Sequence, residues 1–190
     1  MEAPLGNRSA PATPSAPERL IVAMTGVDGA RFGIRLLEAL RDTRVESHLV
    51  MCRCARQSIR DETGRDPDLV RRLASRSYHP NNQAAKISSG SFLTRGMVIA
   101  PCSIRSMAAI VNGYATTLVA RAADVTLKER RRLVLLVNES PLSPIQMENL
   151  RRAAAVPGVV VSWPGEQPAD EVVDGLLAQF AIPRNLLPER

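Results

Sequence analysis

Residues 89–141 read SGSFLTRGMVIAPCSIRSMAAIVNGYATTLVARAADVTLKERRRLVLLVNESP, and this stretch decides the fold. Two apolar runs of strand length, Met97–Ala100 and Leu133–Val137, enclose two predicted helices, Ser103–Asn112 and Ala115–Lys128. The first run stops in Pro-Cys-Ser and a helix begins there at once, so backbone N–H groups without helical partners face outwards. Anions, phosphates above all, bind to such groups. The alternative is that the serine only caps its helix.

The rest of the chain repeats this alternation of strand and helix. Further strands are predicted from apolar runs at Leu20–Met24, Glu46–Cys52 and Val159–Val161. The further predicted helices are one that begins near Phe32, one that ends at Glu62, and those at Asp68–Ser77, Ser143–Ala155 and Ala169–Phe180. The alternation predicts an α/β fold, a three-layer α/β/α sandwich around a parallel sheet. Ligands of such sheets bind at the carboxyl ends of the strands.

The loop after the first strand, Thr25–Gly29, is the expected ligand loop of the first strand-turn-helix unit. The glycine spacing of a dinucleotide fingerprint is missing, so the loop indicates an anionic, nucleotide-like ligand without specifying it. We expect Gly33, in the next helix, to permit close packing on the sheet. We interpret His48 as a structural residue of the second strand rather than a catalyst.

Composition limits the classes of function. The chain has 190 residues, and we expect a single domain over 18–190 after a disordered tail at 1–17 that is rich in Pro, Ala and Ser. The formal net charge of +6 permits nucleic-acid binding, but no nucleic-acid motif accompanies it. We therefore expect an anionic small ligand and no nucleic acid. No apolar run is long enough to predict a membrane span.

The three cysteines, Cys52, Cys54 and Cys102, indicate a reducing compartment. Their number is odd, and the first two are not spaced like a CxxC metal site, so we expect neither a structural disulfide nor a metal. The N-terminus has no secretion signal, and we expect a cytoplasmic protein.

Three segments together resemble the UbiX-type flavin prenyltransferases, part of the superfamily of homo-oligomeric flavin-containing decarboxylases. They are ISSGSF (87–92), APCSIRSMAAI (100–110) and RAADVTLKERRRLVLL (121–136), and the resemblance runs from Arg19 to Pro188. It implies a flavodoxin-like, Rossmann-like fold that binds FMN between the subunits of a trimer or dodecamer. It also implies transfer of a dimethylallyl group from dimethylallyl phosphate to reduced FMN. The prenylated FMN would then serve a UbiD-type decarboxylase.

The same resemblance assigns the site residues. The family's cofactor-binding positions fall on Gly26, Val27, Asp28, Cys52, Ser103, Ile104, Arg105, Ser106, Arg121 and Asn138. Its catalytic positions fall on Glu62, Lys128 and Glu139. A lysine can neutralise the leaving phosphate, and carboxylates can supply the base and the acid that the proton transfers need.

Several positions depart from the family. The usual serine is Asp28, whose carboxylate repels a phosphate, and the arginine after the fifth strand is Asn138. The loop whose tyrosine holds the prenyl phosphate is shorter and reads SWPGEQP over 162–168, and the arginine of the last helix falls on Gly175. Of the usual ligands of the prenyl phosphate, Lys128 alone clearly remains.

These departures leave three hypotheses open. The first is a flavin prenyltransferase in which Arg105, Arg121 or Arg130 replaces the lost phosphate ligands. The second is an FMN-dependent oxidative decarboxylase of a cysteine-containing or other small acid, although the catalytic His of that group has no clear counterpart. The third is a non-catalytic, FMN-binding accessory protein. The helix Ser103–Asn112 is apolar on more than one side, which predicts that it is buried between subunits.

Overall fold

The structure, a computed structural model, describes residues 18–183. The tail expected at 1–17 and the end of the expected domain, 184–190, lie outside this range. Within it, strands and helices alternate along the chain, apart from the successive helices that the sequence also indicates. The predicted α/β fold class is confirmed.

One sheet of six parallel strands forms the middle layer. The strands are β1 Arg19–Met24, β2 Glu46–Met51, β3 Arg76–Tyr78, β4 Gly96–Ile99, β5 Arg132–Leu136 and β6 Val159–Ser162. Their order across the sheet is β3-β2-β1-β4-β5-β6. The chain therefore winds outwards from β1 to β3 and returns on the other side of β1 with β4. Such a doubly wound order opens a crevice at the carboxyl ends of β1 and β4, where ligands bind.

Helices cover both faces of the sheet. They are α1 Ala30–Arg41, α2 Arg53–Thr63, α3 Pro67–Arg71, α4 Ile104–Val111, α5 Leu118–Lys128, α6 Pro144–Ala155 and α7 Ala169–Ala178, with a 3-10 turn at Lys86–Ser88. The first three helices and α7 contribute to the core on one face, and α4, α5 and α6 contribute to the core on the other. None of the helices within 18–183 is long and apolar enough to cross a bilayer.

The central strand β1 feeds both cores. Leu20, Val22 and Met24 belong to the core under α1, whereas Ile21 and Ala23 belong to the core under α5. Side chains of a strand alternate between the two faces of its sheet, so a strand covered on both sides needs a continuous apolar run. Coverage of both faces is therefore the reason that β1 reads as a continuous apolar run in the sequence.

The helix α1 packs against the end of β4 through Gly33. A Cβ atom at this position would lie 2.3 Å from the carbonyl O of Ala100 and 2.6 Å from Cε of Met24. Neither distance leaves room for a side chain. The close packing expected of Gly33 is confirmed, and it holds the start of α1 beside the ligand crevice.

The sequence predicts one helix over Asp68–Ser77, and the second half of this prediction is wrong. The helix α3 ends at Arg71, and Arg76–Tyr78 forms the edge strand β3. Ser47 and Ser75 each accept a hydrogen bond of 3.1 Å from the other's backbone N–H, which brings the chain to the sheet edge. The two serines are 28 residues apart, so local periodicity carries no sign of this pairing.

Two predicted boundaries move because a side chain caps a helix. The strand β2 ends at Met51, and Cys52 is the N-cap of α2, where its Sγ accepts a hydrogen bond from Ala55 N. The helix α5 begins at Leu118 because Thr117 Oγ1 accepts from Ala120 N.

Candidate functional site

A cavity of about 1130 Å³ opens at the carboxyl edge of the sheet. Four of the predicted FMN-binding residues line it, namely Cys52, Ser103, Arg105 and Ser106, together with Thr25 at the end of β1. The rest of the wall comes from β2 and β3, from α2, α3 and α4, from the segment after β3 and from the start of α5. The cavity thus lies where the strand topology predicts a ligand.

The two loops that form the crevice are bonded to each other. Both Thr25 N and Gly26 N donate to the carbonyl O of Pro101, at 2.9 and 3.0 Å. In return, Ser103 N donates to Thr25 Oγ1 at 3.1 Å. A Cβ atom on Gly26 would lie 2.8 Å from Cβ of Pro101, so this contact requires glycine. The loop after β1 and the start of α4 therefore form one unit.

The start of α4 is the predicted anion site, and some of its N–H groups already have partners. Ser103 Oγ accepts a hydrogen bond from Ser106 N at 3.1 Å and so caps the helix, as the alternative interpretation of this serine proposes. Ile104 N donates to Glu139 Oε1 at 3.2 Å. The Arg105 side chain is exposed and lines the cavity. Hydroxyl and guanidinium groups remain available to an anion there.

Glu62 connects α2 to the start of α1. Its Oε2 accepts hydrogen bonds from Gly29 N at 3.1 Å and Ala30 N at 2.9 Å. Its Oε1 accepts from Ser58 Oγ. Gly29 is the N-cap of α1 and has no side chain of its own, so the carboxylate of Glu62 takes the place of a cap. Glu62 therefore fixes the end of the loop that carries Gly26, Val27 and Asp28.

The outer part of this loop faces solvent. Val27 is 59% exposed, and Asp28 is also exposed. Asn138 follows β5 and approaches the loop, since a Cβ atom on Gly29 would lie 3.3 Å from its Nδ2. The structure thus brings Gly26, Val27, Asp28, Asn138 and Glu139 to the same sheet edge as the cavity.

Of the two predicted residues on α5, one lies away from this edge. Lys128 is exposed at the end of α5, and since this helix runs antiparallel to the strands, its end lies at the amino edge of the sheet. The five residues of β5 then separate Lys128 from Glu139 by about 16 Å along the strand direction. Arg121 is exposed and forms an ion pair of 3.1 Å with Asp124. A single chain therefore does not bring Lys128 to the other predicted catalytic residues.

The missed residue with most chemical interest is Cys54. Its Sγ lies 2.7 Å from Sγ of Cys52 and 3.3 Å from the carbonyl O of Thr25. Burial, and then the hydrogen bond to Cys54, raise the pKa of the Cys52 thiol. Cys102 is fully buried, and burial raises its pKa to about 12. In the sequence this pair is visible only as a CxC spacing. That spacing excludes a CxxC metal site, but it does not predict that the two sulfur atoms are in contact.

His48 takes the structural role that the sequence suggests. It is 3% exposed within β2, and its Nδ1 lies 2.9 Å from the hydroxyl of Tyr78. Burial lowers its pKa, which favours the neutral ring. The ring is edge-on to Phe92, in the segment ISSGSF.

Two positions that depart from the family's pattern lie on the surface of the structure. Gly175 is exposed on α7, and a Cβ atom there would meet nothing within 4 Å. Trp163, in the shortened loop, is 45% exposed. Gly175 could therefore hold a larger side chain without disturbing the core.

These residues fit a flavin phosphate cofactor. The hydroxyls of Thr25, Ser103 and Ser106 and the guanidinium of Arg105 surround a cavity large enough for a ligand of this size. Positive charge and hydroxyl donors at a helix start suit a phosphate. Asp28 opposes it through like-charge repulsion, but its carboxylate is exposed and can be screened by solvent.

Comparison with known proteins identifies the family. The family model described as Flavoprotein matches residues 8–181. A probable UbiX-like flavin prenyltransferase of Streptomyces sp. (strain D7) is 50% identical over 175 residues, which are 87% of this chain and 88% of that protein. The flavin prenyltransferase UbiX of Escherichia coli (strain K12) is 44% identical, over 90% of this chain and 95% of that protein.

Solved structures agree with these relatives. AnUbiX (PadA1), in complex with FMN and dimethylallyl pyrophosphate, superposes with a TM-score of 0.83 at 42% identity and covers 87% of this chain and 93% of its own. A dodecameric FMN-dependent Ubix-like decarboxylase from Escherichia coli O157:H7 gives the same TM-score at 43% identity, over 90% of this chain and 98% of its own. The cypemycin decarboxylase CypD, at 14% identity and a TM-score of 0.67, shares the fold alone. The chain therefore belongs to the flavoprotein family and, within it, to the UbiX-like flavin prenyltransferases.

Proposed function

We propose that this chain is an FMN-dependent flavin prenyltransferase that moves a dimethylallyl group from its phosphate onto reduced FMN. The observation that carries the proposal is the convergence of the loop after β1, the start of α4 and Glu139 at the carboxyl edge of the sheet, where the cavity opens. Family membership supports the same reaction, since relatives named as flavin prenyltransferases are 44–50% identical over most of the chain.

FMN would be held by the loop of Gly26–Asp28, by Cys52 and by Ser103–Ser106. When bound in its reduced form, it supplies the nucleophile that accepts the dimethylallyl group. Glu139 is the best candidate for proton handling, because its Oε1 accepts a single backbone hydrogen bond at the rim of the site. Glu62, bonded to two backbone N–H groups and to Ser58, is better suited to hold the loop in place.

The prenyl phosphate needs a cation as it leaves. Arg105 is a cation at the cavity, and Lys128 is the one that the family resemblance supplies. Lys128 lies at the opposite edge of its own chain, so it can reach a site only in a neighbouring subunit. We therefore propose a homo-oligomer in which one subunit contributes Glu139 and another contributes Lys128.

The surface of α4 supports this assembly. Within one chain, only Ile104 and Met107 of this helix are buried, while Ala109, Ile110 and Val111 are half-buried. Ile110 and Val111 pack against the chain's own core, and the apolar surface that they still expose suits a contact with a second subunit. The dodecameric relative from Escherichia coli O157:H7 supports assembly of this kind.

The first experiment is anaerobic incubation of the protein with reduced FMN and dimethylallyl phosphate, followed by mass spectrometry of the flavin. We expect a flavin heavier by one prenyl group. Lys128→Ala should slow its formation at least about a hundredfold, equivalent to about 3 kcal/mol in the transition state. Lys86→Ala, which removes an exposed lysine elsewhere, is the matched control. FMN binding without prenylation by the parent would overturn the proposed reaction.

Mixed oligomers test the shared site. Lys128→Ala and Glu139→Gln proteins, each expected to be strongly impaired alone, are unfolded and refolded together in equal amounts. If the two residues come from different subunits, about a quarter of the sites regain both, and activity returns to that level. Mixing Lys128→Ala with the double variant should restore nothing. If both mixtures stay inactive, Lys128 and Glu139 do not act together at a site shared between two subunits.

We further propose that the product, prenylated FMN, serves a UbiD-type decarboxylase and that the reaction takes place in the cytoplasm. All three cysteines are free thiols, which supports a reducing compartment. The assay is activation of an apo-decarboxylase by the flavin released from this protein. Activation by prenylated flavin but not by FMN is expected.

A further inference from the structure

The thiols of Cys52 and Cys54 form a close pair to which the proposed reaction assigns no chemical step. Their sulfur atoms are 2.7 Å apart, about 0.7 Å more than a disulfide bond. The residues are separated by one position, and Cys52 precedes α2 in extended conformation while Cys54 lies in its first turn. The two sulfur atoms can therefore bond with little movement of the backbone.

The surroundings of Cys54 favour chemistry at this thiol. It is exposed, and a second cavity of about 750 Å³ beside it is lined by Arg53, Arg56, Arg60 and Arg105 together with Gln57. Arg56 is paired with Asp68, and Gln57 donates to Asp61. Positive charge and solvent access around a thiol are the conditions in which cysteines react with oxidants. Cys52 is less exposed, and Cys102 is buried.

The thiols also hold the proposed cofactor loop. Either S–H group can donate to the carbonyl O of Thr25, from Cys54 at 3.3 Å or from Cys52 at 3.6 Å, while the other donates to the neighbouring sulfur. Thr25 is 3% exposed, so water has little access to replace them. Thr25 is also bonded to Pro101 and Ser103, as described above, and Gly26 follows it directly.

We propose that Cys52 and Cys54 form a reversible disulfide under hydroperoxides, and that this disulfide weakens FMN binding. In the first step, Cys54 reacts with hydrogen peroxide to a sulfenic acid and water. In the second step, the sulfur of Cys52 displaces the sulfenic oxygen, which leaves as water with the Cys52 proton, and the S–S bond forms. Two electrons pass from the thiols to the peroxide. A reduced dithiol reverses the reaction by thiol exchange.

The effect on the loop follows from the lost donors. A disulfide has no S–H group, so the buried carbonyl O of Thr25 loses its thiol donor. The loop at Thr25–Asp28 is then held less firmly, and we expect about a fivefold weaker affinity for FMN. This second part rests on the proposed function, because it assumes that the loop binds FMN, whereas formation of the disulfide does not.

The experiment uses the full chain without bound flavin, treated with increasing hydrogen peroxide. We expect the intact mass to fall by two hydrogen atoms and the count of free thiols to fall from three to one. Amide hydrogen exchange of residues 24–29 should become faster, and the affinity for FMN, measured by fluorescence quenching, should fall about fivefold. A reduced dithiol should reverse all four changes.

Two variants make the outcome decisive. Cys54→Ser keeps a hydroxyl donor at this position, and its exchange rate and FMN affinity, whatever their starting values, should no longer respond to peroxide. Cys102→Ala should respond like the parent, with one thiol fewer. A gain of oxygen at Cys54 without loss of the second thiol overturns the disulfide. A disulfide that leaves exchange and affinity unchanged overturns the coupling. If the reduced protein binds no FMN, the proposed function is refuted. The thiol counts and the hydrogen exchange then still decide whether the disulfide forms and loosens the loop.

Discussion

Replacing Glu62 tests whether one carboxylate from α2 holds the start of α1. Its Oε2 accepts from Gly29 N and Ala30 N, at 3.1 and 2.9 Å, and α1 has no other side-chain cap. Loss of a cap costs about 1 kcal/mol. Loss of a negative charge at a helix N-terminus costs about 0.5 kcal/mol more at an exposed site. We therefore expect Glu62→Ala to lower the free energy of unfolding by about 1.5 kcal/mol.

Glu62→Gln separates charge from hydrogen bonding. The amide oxygen can still accept from the two N–H groups, so only the charge contribution of about 0.5 kcal/mol should be lost. For a domain of this size, these values correspond to a fall in Tm of about 3–6 °C for the alanine variant and about 1–2 °C for the glutamine variant. Urea unfolding of the flavin-free protein, at one protein concentration, gives both free energies.

Asp61→Ala is the matched control. Asp61 precedes Glu62 on the same helix and accepts only from Gln57 among the described side chains, so its loss should change stability by less than about 0.5 kcal/mol. Equal stability of the alanine, glutamine and control variants would refute the capping role. The same proteins test catalysis: a Glu62→Gln protein that folds and binds FMN but prenylates at least about a hundredfold more slowly assigns proton transfer to this carboxylate.

Three further changes have expected outcomes. Asp28→Ser removes a negative charge from the proposed phosphate loop and should tighten FMN binding about fivefold, or about 1 kcal/mol, in calorimetric titration at low salt; no change would show that the carboxylate points away from the phosphate. Because burial lowers the pKa of His48, its stabilising contribution is present above about pH 6.5 and is lost as the pH falls towards the lowered value. Urea unfolding should therefore show stability decreasing from pH 7 to 5, and His48→Gln should flatten this dependence. Gly175→Arg and Gly175→Ala should both stabilise α7, by up to about 1 kcal/mol, since Gly disfavours helices and space is free. Only the arginine variant should also lower KM for dimethylallyl phosphate, and equal KM values would exclude a phosphate contact from this position.

The parts of the fold that sequence predicts are those fixed by neighbours in sequence. The strand β1 is an apolar run because both faces are covered, and its end at Thr25 is marked by the change to small and polar residues. The start of α4 is marked in the same way by Pro101 and Ser103. Since parallel strands end at the same sheet edge, these local signals were enough to predict where the loops meet.

The parts that sequence does not predict depend on pairs far apart in the chain. Glu62 bonds to Ala30 over 32 residues, and Ser47 bonds to Ser75 over 28. Neither pair leaves a periodic pattern. The resemblance to a family assigned Glu62 to the site as a catalytic residue and gave no sign of its role as a cap. It also gave no indication of the contact between Cys54 and Cys52, because it assigns a role to Cys52 alone.

The position of Lys128 has a physical consequence for how this site works. In a parallel sheet, carboxyl ends of strands and N-termini of helices lie together, so the carboxyl edge of this chain collects backbone N–H groups and the loop carboxylates. The end of α5 lies at the other edge for the same reason. No adjustment of side chains brings Lys128 across about 16 Å of strand. If Lys128 neutralises the leaving phosphate, its charge must come from a neighbouring subunit, and prenyl transfer, unlike the stability of the single chain, must then depend on protein concentration. Activity that stays proportional to protein as the oligomer dissociates on dilution would remove Lys128 from the reaction and leave Arg105 to carry the phosphate charge.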